Sequence, residues 1–170
     1  MLHRRQMILG ATALAGLGGC GLRAPAHKLR RYDGPEVTFV VVNKGSRRMF
    51  LLHDDKILKS YRINLGFAPV GHKVFEGDGR TPEGLYHIDR INPNSAFHLS
   101  LGISYPNAQD RAAAKAIGKK PGGDIFIHGQ KTPGKRDKKD WTWGCISVTN
   151  REMEEIFAMV RRGTPISINP

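Results

Sequence analysis

Apolar and polar positions along the chain change period several times, and each change predicts an element. From Glu36 to Asn43 the run EVTFVVVN is β-branched and almost continuous, the pattern of a buried strand. RRMFLLHDDKILKSYRINLG, from Arg47, reads as two strands folded back at Asp54-Asp55. GLYHIDRI alternates from Gly84, FHLSLGISYP alternates from Phe97, and GDIFIHG is a short apolar strand running into His128-Gly129. Two segments take a helical period instead. Asp110 to Ile117 is alanine-rich and stopped by Gly118. Thr149 and Glu152 form a capping box, and Met153, Ile156, Phe157 and Val160 follow at i, i+3, i+4 and i+7, with Gly163 as the stop. TPISI then predicts a closing strand. Many strands and two short helices imply a mainly β domain, a sandwich or partial barrel. The glycine-dense HKVFEGDGRTPEG reads as a loop that closes onto the Leu85 strand.

The first residues follow a different logic. Arg4 and Arg5 precede an apolar run from Met7 to Leu17. That run falls short of the roughly 20 residues a membrane-spanning helix needs, so it reads as the apolar part of an export signal. Leu17-Gly18-Gly19-Cys20 resembles the lipobox of bacterial lipoproteins, in which the cysteine is lipidated and becomes the mature N-terminus. An ordinary secretion signal is the alternative, and RRQMIL also resembles a twin-arginine signal loosely. The expected organisation is a signal over 1–19, a lipidated and basic tether over 20–34, and one catalytic domain over 35–170. Gly21 is not the aspartate that retains many lipoproteins at the inner membrane, which favours an outer-membrane anchor.

Charge narrows the partners. The formal net charge of +12 falls by the two arginines of the signal to +10. So basic a surface favours anionic partners, and export removes nucleic acid from them. The carboxylate-rich cell wall and the anionic membrane surface remain.

Cysteine usage narrows the chemistry. If Cys20 carries lipid, Cys145 is a lone thiol in an oxidising compartment, where it is a liability unless buried or used. A free thiol has a pKa of about 8.5, so it needs a base, and a histidine can take its proton. His128 stands seventeen positions upstream, at the end of a predicted strand where Gly129 turns the chain. Gly144 permits a tight turn that aims backbone N–H groups at a developing oxyanion. Spacing alone leaves a packed core thiol as an equal alternative.

The motifs break that tie. His128-Gly129, a spacer, then Thr142-Trp143-Gly144-Cys145 resembles the signature of the L,D-transpeptidase (YkuD) family, and GRTPEGLY resembles its Thr-Pro-x-Gly segment. EGDGRTPEG, NPNSAFHLSLGISYPN, GGDIFIHG and DWTWGCISVTN are similar to the YafK-like subgroup. The resemblance covers about Val37 to Ile168 and implies a β-sandwich-like domain that acts on peptidoglycan stem peptides without cofactor or metal. It implies that Cys145 attacks the carbonyl at the L-centre of the diamino acid in position three and expels the terminal D-alanine. His128 would be general base, then acid, and backbone N–H groups around Trp143, Gly144 and Cys145 would hold the oxyanion. An amine then discharges the thioester, giving a cross-link, an attached protein or an exchanged amino acid. Gly129, Thr142, Ser147 and His98 are the expected substrate-binding positions. The chain departs from the family pattern at Trp143, where many members have histidine, and at Ser147, where many have arginine or asparagine.

Smaller signals carry two readings each. Lys131, Lys135, Arg136, Lys138 and Lys139 suit a lid for stem-peptide carboxylates or a solvated basic loop. Of Trp141 and Trp143, one is expected to wall the cleft and the other to pack in the core. Asp140 reads as a turn carboxylate rather than an orienter of histidine. His72, His87, His98 and His128 lack the close spacing of a zinc motif. The rival functions are a hydrolase using the same Cys-His centre, a wall-binding lipoprotein without catalysis, and a general cysteine protease.

Overall fold

The computed structural model describes residues 29–131 and 139–170. The signal and Cys20 lie outside them, as do Lys135, Arg136 and Lys138. Eight strands and two helices follow in order: β1 (Phe39–Asn43), β2 (Arg48–His53), β3 (Lys56–Arg62), β4 (Gly84–Ser95), β5 (His98–Ile103), α1 (Ala108–Ala116), β6 (Phe126–His128), β7 (Ile146–Ser147), α2 (Asn150–Met159) and β8 (Pro165–Asn169). The mainly β expectation holds, as does the hairpin turn at Asp54-Asp55 between β2 and β3.

The strands form one sheet in the order β3-β2-β1-β8-β4-β5-β6-β7. β1–β8 and β6–β7 are parallel and the other neighbours antiparallel. The closing strand therefore lands in the middle of the sheet, where Val40 and Val42 of β1 sit opposite Ile166 and Ile168 of β8. All four are buried, the inward half of an alternating pattern on both strands. The two ends of the order also meet. Chain leaving β3 makes a bridge from Asn64 to Ser147 of β7 and another from Gly66 to Thr142. These bridges curl the sheet towards a barrel, around a core that includes Met49, Leu51, Leu101, Ile127 and Ile146. α2 adds Met153 and Ile156 to that core, the positions its periodicity assigned.

Three boundaries differ from the sequence reading. α1 starts at Ala108, because Asn107 caps it and Asp110 returns the bond as the third helical residue. Asp110 is nearly buried, its carboxylate also accepting from Tyr86 Oη (3.0 Å) and His72 Nε2 (3.1 Å). α2 begins at its predicted Thr149 cap but ends at Met159, where Val160 turns extended and stays buried. Gly163 belongs to the turn into β8 instead. Finally, Arg30 and Tyr32, expected in the tether, already lie on the domain: Arg30 pairs with Glu154 (3.2 Å) and Glu155 (3.4 Å) of α2.

Candidate active site

β6 and β7 carry the two chemical residues onto neighbouring strands. Ile127 sits opposite Ile146 and His128 opposite Ser147, so Cys145, one residue ahead of β7, lies opposite Phe126. Strand rise and spacing then put the Cys145 and His128 backbones about 8 Å apart. The ladder places a residue two positions from its strand neighbour, a separation that long side chains span.

The turn that presents Cys145 is tightly built. Gly144 has φ +123°, and a Cβ there would come 2.6 Å from the Arg80 carbonyl oxygen. Only glycine fits that approach. Thr142 Oγ1 accepts the Gly144 N–H (3.2 Å) and donates to the Cys145 carbonyl (2.6 Å), stapling both ends of the turn. The half-buried thiol donates to the Asp124 carbonyl (3.4 Å) and accepts the Phe126 N–H (3.4 Å). Burial pushes its pKa up and the Asp124 carboxylate adds to this, while the Phe126 N–H and Lys73 act in the opposite sense. The resting group is thus a thiol that needs a base.

His128 is buried, and its Nδ1 lies 2.6 Å from the Gly129 carbonyl oxygen. A carbonyl only accepts, so Nδ1 carries the proton and Nε2 is the basic nitrogen of the neutral ring. Two aromatic rings bracket the imidazole: Phe97 at 4.8 Å and Trp141 at 5.7 Å between centroids, themselves 5.9 Å apart. Phe97 is the residue sequence reasoning missed. Its neighbour His98, expected at the substrate, instead donates to Glu154 of α2 (3.0 Å). Of the three buried side-chain polar atoms without a partner among the described residues, Trp141 Nε1 and Ser147 Oγ belong to residues beside His128.

Cys145 opens into a cleft of about 420 Å³ lined by Lys73, Glu76, Gly77, Gly122, Gly123, Asp124, Ile125 and Trp143. Its loop wall is braced from within. Lys73 pairs with Asp78 (2.9 Å), both side chains nearly buried. Burial by itself would raise the Asp78 carboxyl, but Lys73 and the N–H groups of Arg80, Val74 and Phe75 hold it below the usual carboxylate range. A second buried ammonium, Lys44, donates to Gly71 O (2.6 Å), Thr81 O (3.0 Å) and Glu83 (2.7 Å). Burial lowers its pKa against the pull of Glu83.

The other expected positions find different places. Trp143 walls the cleft, as expected of one of the pair, whereas Trp141 packs half-buried on His128 rather than in the core. Gly129, Thr142, Ser147 and His98 do not line the Cys145 cleft; they shape the turn, orient the ring or pack beside it. Asp140 is a turn carboxylate held by Arg47 (2.7 Å) and by the Leu65 N–H (3.1 Å). Those bonds outweigh burial and lower its pKa. Lys139 borders a separate basic cleft with Arg47 and Arg62.

Known proteins share the family profile and the fold. The family profile of the L,D-transpeptidase catalytic domain, YkuD, matches residues 37–168. YafK of Escherichia coli (strain K12) is 32% identical over 107 residues, 62% of this chain and 38% of that protein. The crystal structure of the helical cell shape determining protein Pgp2 from Campylobacter jejuni superposes with a TM-score of 0.62 at 31% identity, over 79% of this chain and 48% of that one. Mycobacterium tuberculosis L,D-transpeptidase 1 shares the fold at 13% identity, with a TM-score of 0.51 over 79% of this chain and 62% of that one. The chain spans less than half the length of YafK or Pgp2. With its profile match running from the first strand to the last, the chain belongs to the L,D-transpeptidase (YkuD) catalytic-domain family.

Proposed function

We propose that the chain is a cysteine acyltransferase of the cell envelope that acts on peptidoglycan stem peptides. The observation that supports this reading best is the β6–β7 pair, which holds His128 on the strand next to a thiol that opens into a cleft. His128 Nε2 takes the Cys145 proton as sulfur attacks the diamino-acid carbonyl. The Gly144 N–H is engaged by Thr142, so the N–H groups of Trp143 and Cys145 receive the oxyanion. Collapse breaks the bond to D-alanine, and the imidazolium returns the proton to the leaving amine. An acceptor amine then attacks the thioester; His128 accepts its proton and delivers it to the departing sulfur. Lipid on Cys20 would hold the domain at the membrane, the outer one where two are present. The likeness to Pgp2 supports a part in setting wall architecture.

The test is product analysis by mass spectrometry. The chain is given tetrapeptide muropeptides with a free D-amino acid and, separately, whole sacculi, each beside Cys145→Ala. New cross-links or exchanged D-amino acids that vanish with the variant support transfer. Cysteine-dependent loss of cross-links without exchange would assign a hydrolase instead, and unchanged products with Cys145→Ala would refute the site.

A further inference from the structure

The wall of the Cys145 cleft continues outward as an exposed aromatic surface. Trp143 is 71% exposed and Phe67 49% exposed, yet the two rings meet edge to face with centroids 4.9 Å apart. Phe67 is well held. The Phe67 N–H donates to the Thr142 carbonyl (2.9 Å), inside the bridge that closes the sheet. Its ring lies over Gly79, where a Cβ would come 2.3 Å from the ring edge. Gly79 therefore does for Phe67 what Gly144 does for Cys145: it leaves room that any side chain would fill. The Trp143 backbone is fixed by the stapled turn on its C-terminal side. Two exposed aromatic rings in contact at the mouth of a nucleophile's cleft mark a binding surface.

We infer that Phe67 and Trp143 form a saccharide subsite that stacks against a pyranose ring of the glycan carrying the donor stem. The inference rests on the peptidoglycan reading above and names a further part of that substrate. Chemistry selects the occupant. A stem peptide offers methyl groups, carboxylates and amines, none of which has a flat apolar face. A pyranose has one, formed by its C–H groups and rimmed by hydroxyls. The exposed Trp143 ring supplies the matching flat face, with Phe67 packed against it at right angles, and Glu76 in the same cleft supplies a polar rim. Position agrees. The reacting carbonyl must lie at Cys145 inside the cleft, whereas most of the Trp143 ring faces outward, where the sugar end of a bound stem would emerge.

The test measures binding without turnover, in the whole chain carrying Cys145→Ala. Calorimetry compares a disaccharide-tetrapeptide with the sugar-free tetrapeptide, in that parent and after adding Trp143→Ala or Phe67→Ala. Thermal unfolding of each variant verifies that it folds. The parent is expected to prefer the sugar-bearing ligand about tenfold, the scale of one good aromatic contact. Each added substitution is expected to bring the ratio close to one by weakening the sugar-bearing ligand alone. Three results would overturn the inference: no preference in the parent, a preference that survives both substitutions, or equal weakening of both ligands, which would assign the platform to the peptide. Failure of the parent to bind either ligand would contradict the peptidoglycan reading itself, and this inference with it.

Discussion

Replacing Gly144 by alanine tests whether the nucleophile's turn is as constrained as its packing indicates. The new Cβ would sit 2.6 Å from the Arg80 carbonyl oxygen and 3.2 Å from Ile125 Cδ1. Ordinary contact begins at 3.4 Å, so the backbones must part by about 0.8 Å. An alanine at φ +123° adds backbone strain of about 1–3 kcal/mol, and forced expansion of a packed site costs a similar amount. A total near 3 kcal/mol lowers Tm by roughly 6–12 °C for a domain of this size. Because the residue next to Cys145 carries the shift, acylation should fall further than stability does. A displacement approaching 1 Å costs about a hundredfold in rate. Gly123→Ala is the control. Gly123 lines the same cleft, but its added Cβ meets nothing nearer than Pro106 Cδ at 3.9 Å. That variant should stay within about 0.5 kcal/mol of the parent. The measurements are thermal unfolding by circular dichroism and the rate of D-alanine release. Gly144→Ala with an unchanged Tm and an unchanged rate would refute the reasoning.

Other outcomes follow from the same geometry. Asp78→Asn, which leaves the Lys73 ammonium buried without its counter-charge, should destabilise by about 3 kcal/mol at pH 7. Because the folded-state pKa of Asp78 is depressed, its contribution is complete above the unfolded value of about 4 and is lost as pH falls through the folded value. The gap between wild type and variant in urea unfolding should therefore narrow only in acid; a gap constant down to pH 2 would argue against the ion pair. Alkylation of Cys145 by iodoacetamide should keep accelerating above pH 8.5, since burial raises the thiol; a plateau below pH 8 is the contrary result. Phe97→Leu keeps bulk beside His128 but removes the flat face, so kcat should fall up to about tenfold with KM little changed. A rise in KM alone would place Phe97 at the substrate instead.

Local signals in the sequence located what local physics decides. The Asp54-Asp55 turn, the Thr149 cap and the inward positions of α2 are visible because turn chemistry and helical period act over a few residues. The Cys145 and His128 motifs were legible as chemistry, yet their meeting depends on β6 lying parallel to β7 across an intervening loop. No periodicity encodes that pairing. The insertion of β8 between β1 and β4 is similarly silent, because a strand's pattern records that one face is buried but not which partners bury it. Phe97 escaped notice for a related reason: it occupies a β4–β5 turn, and only the folded ladder carries its ring to His128. The segment containing Asp78 and Gly79 looked like an ordinary loop. Two buried ammonium groups brace it, Lys73 from within the segment and Lys44 from the distant β1–β2 turn.

The most direct test of the account is intact-mass spectrometry of the chain after brief exposure to a disaccharide-tetrapeptide donor, followed by peptide mapping. The expected product is an acyl adduct on Cys145 that adds the mass of the donor less that of one free D-alanine, sensitive to hydroxylamine and absent with Cys145→Ala. D-Alanine release that persists in Cys145→Ala, or an adduct that maps to another residue, would contradict it.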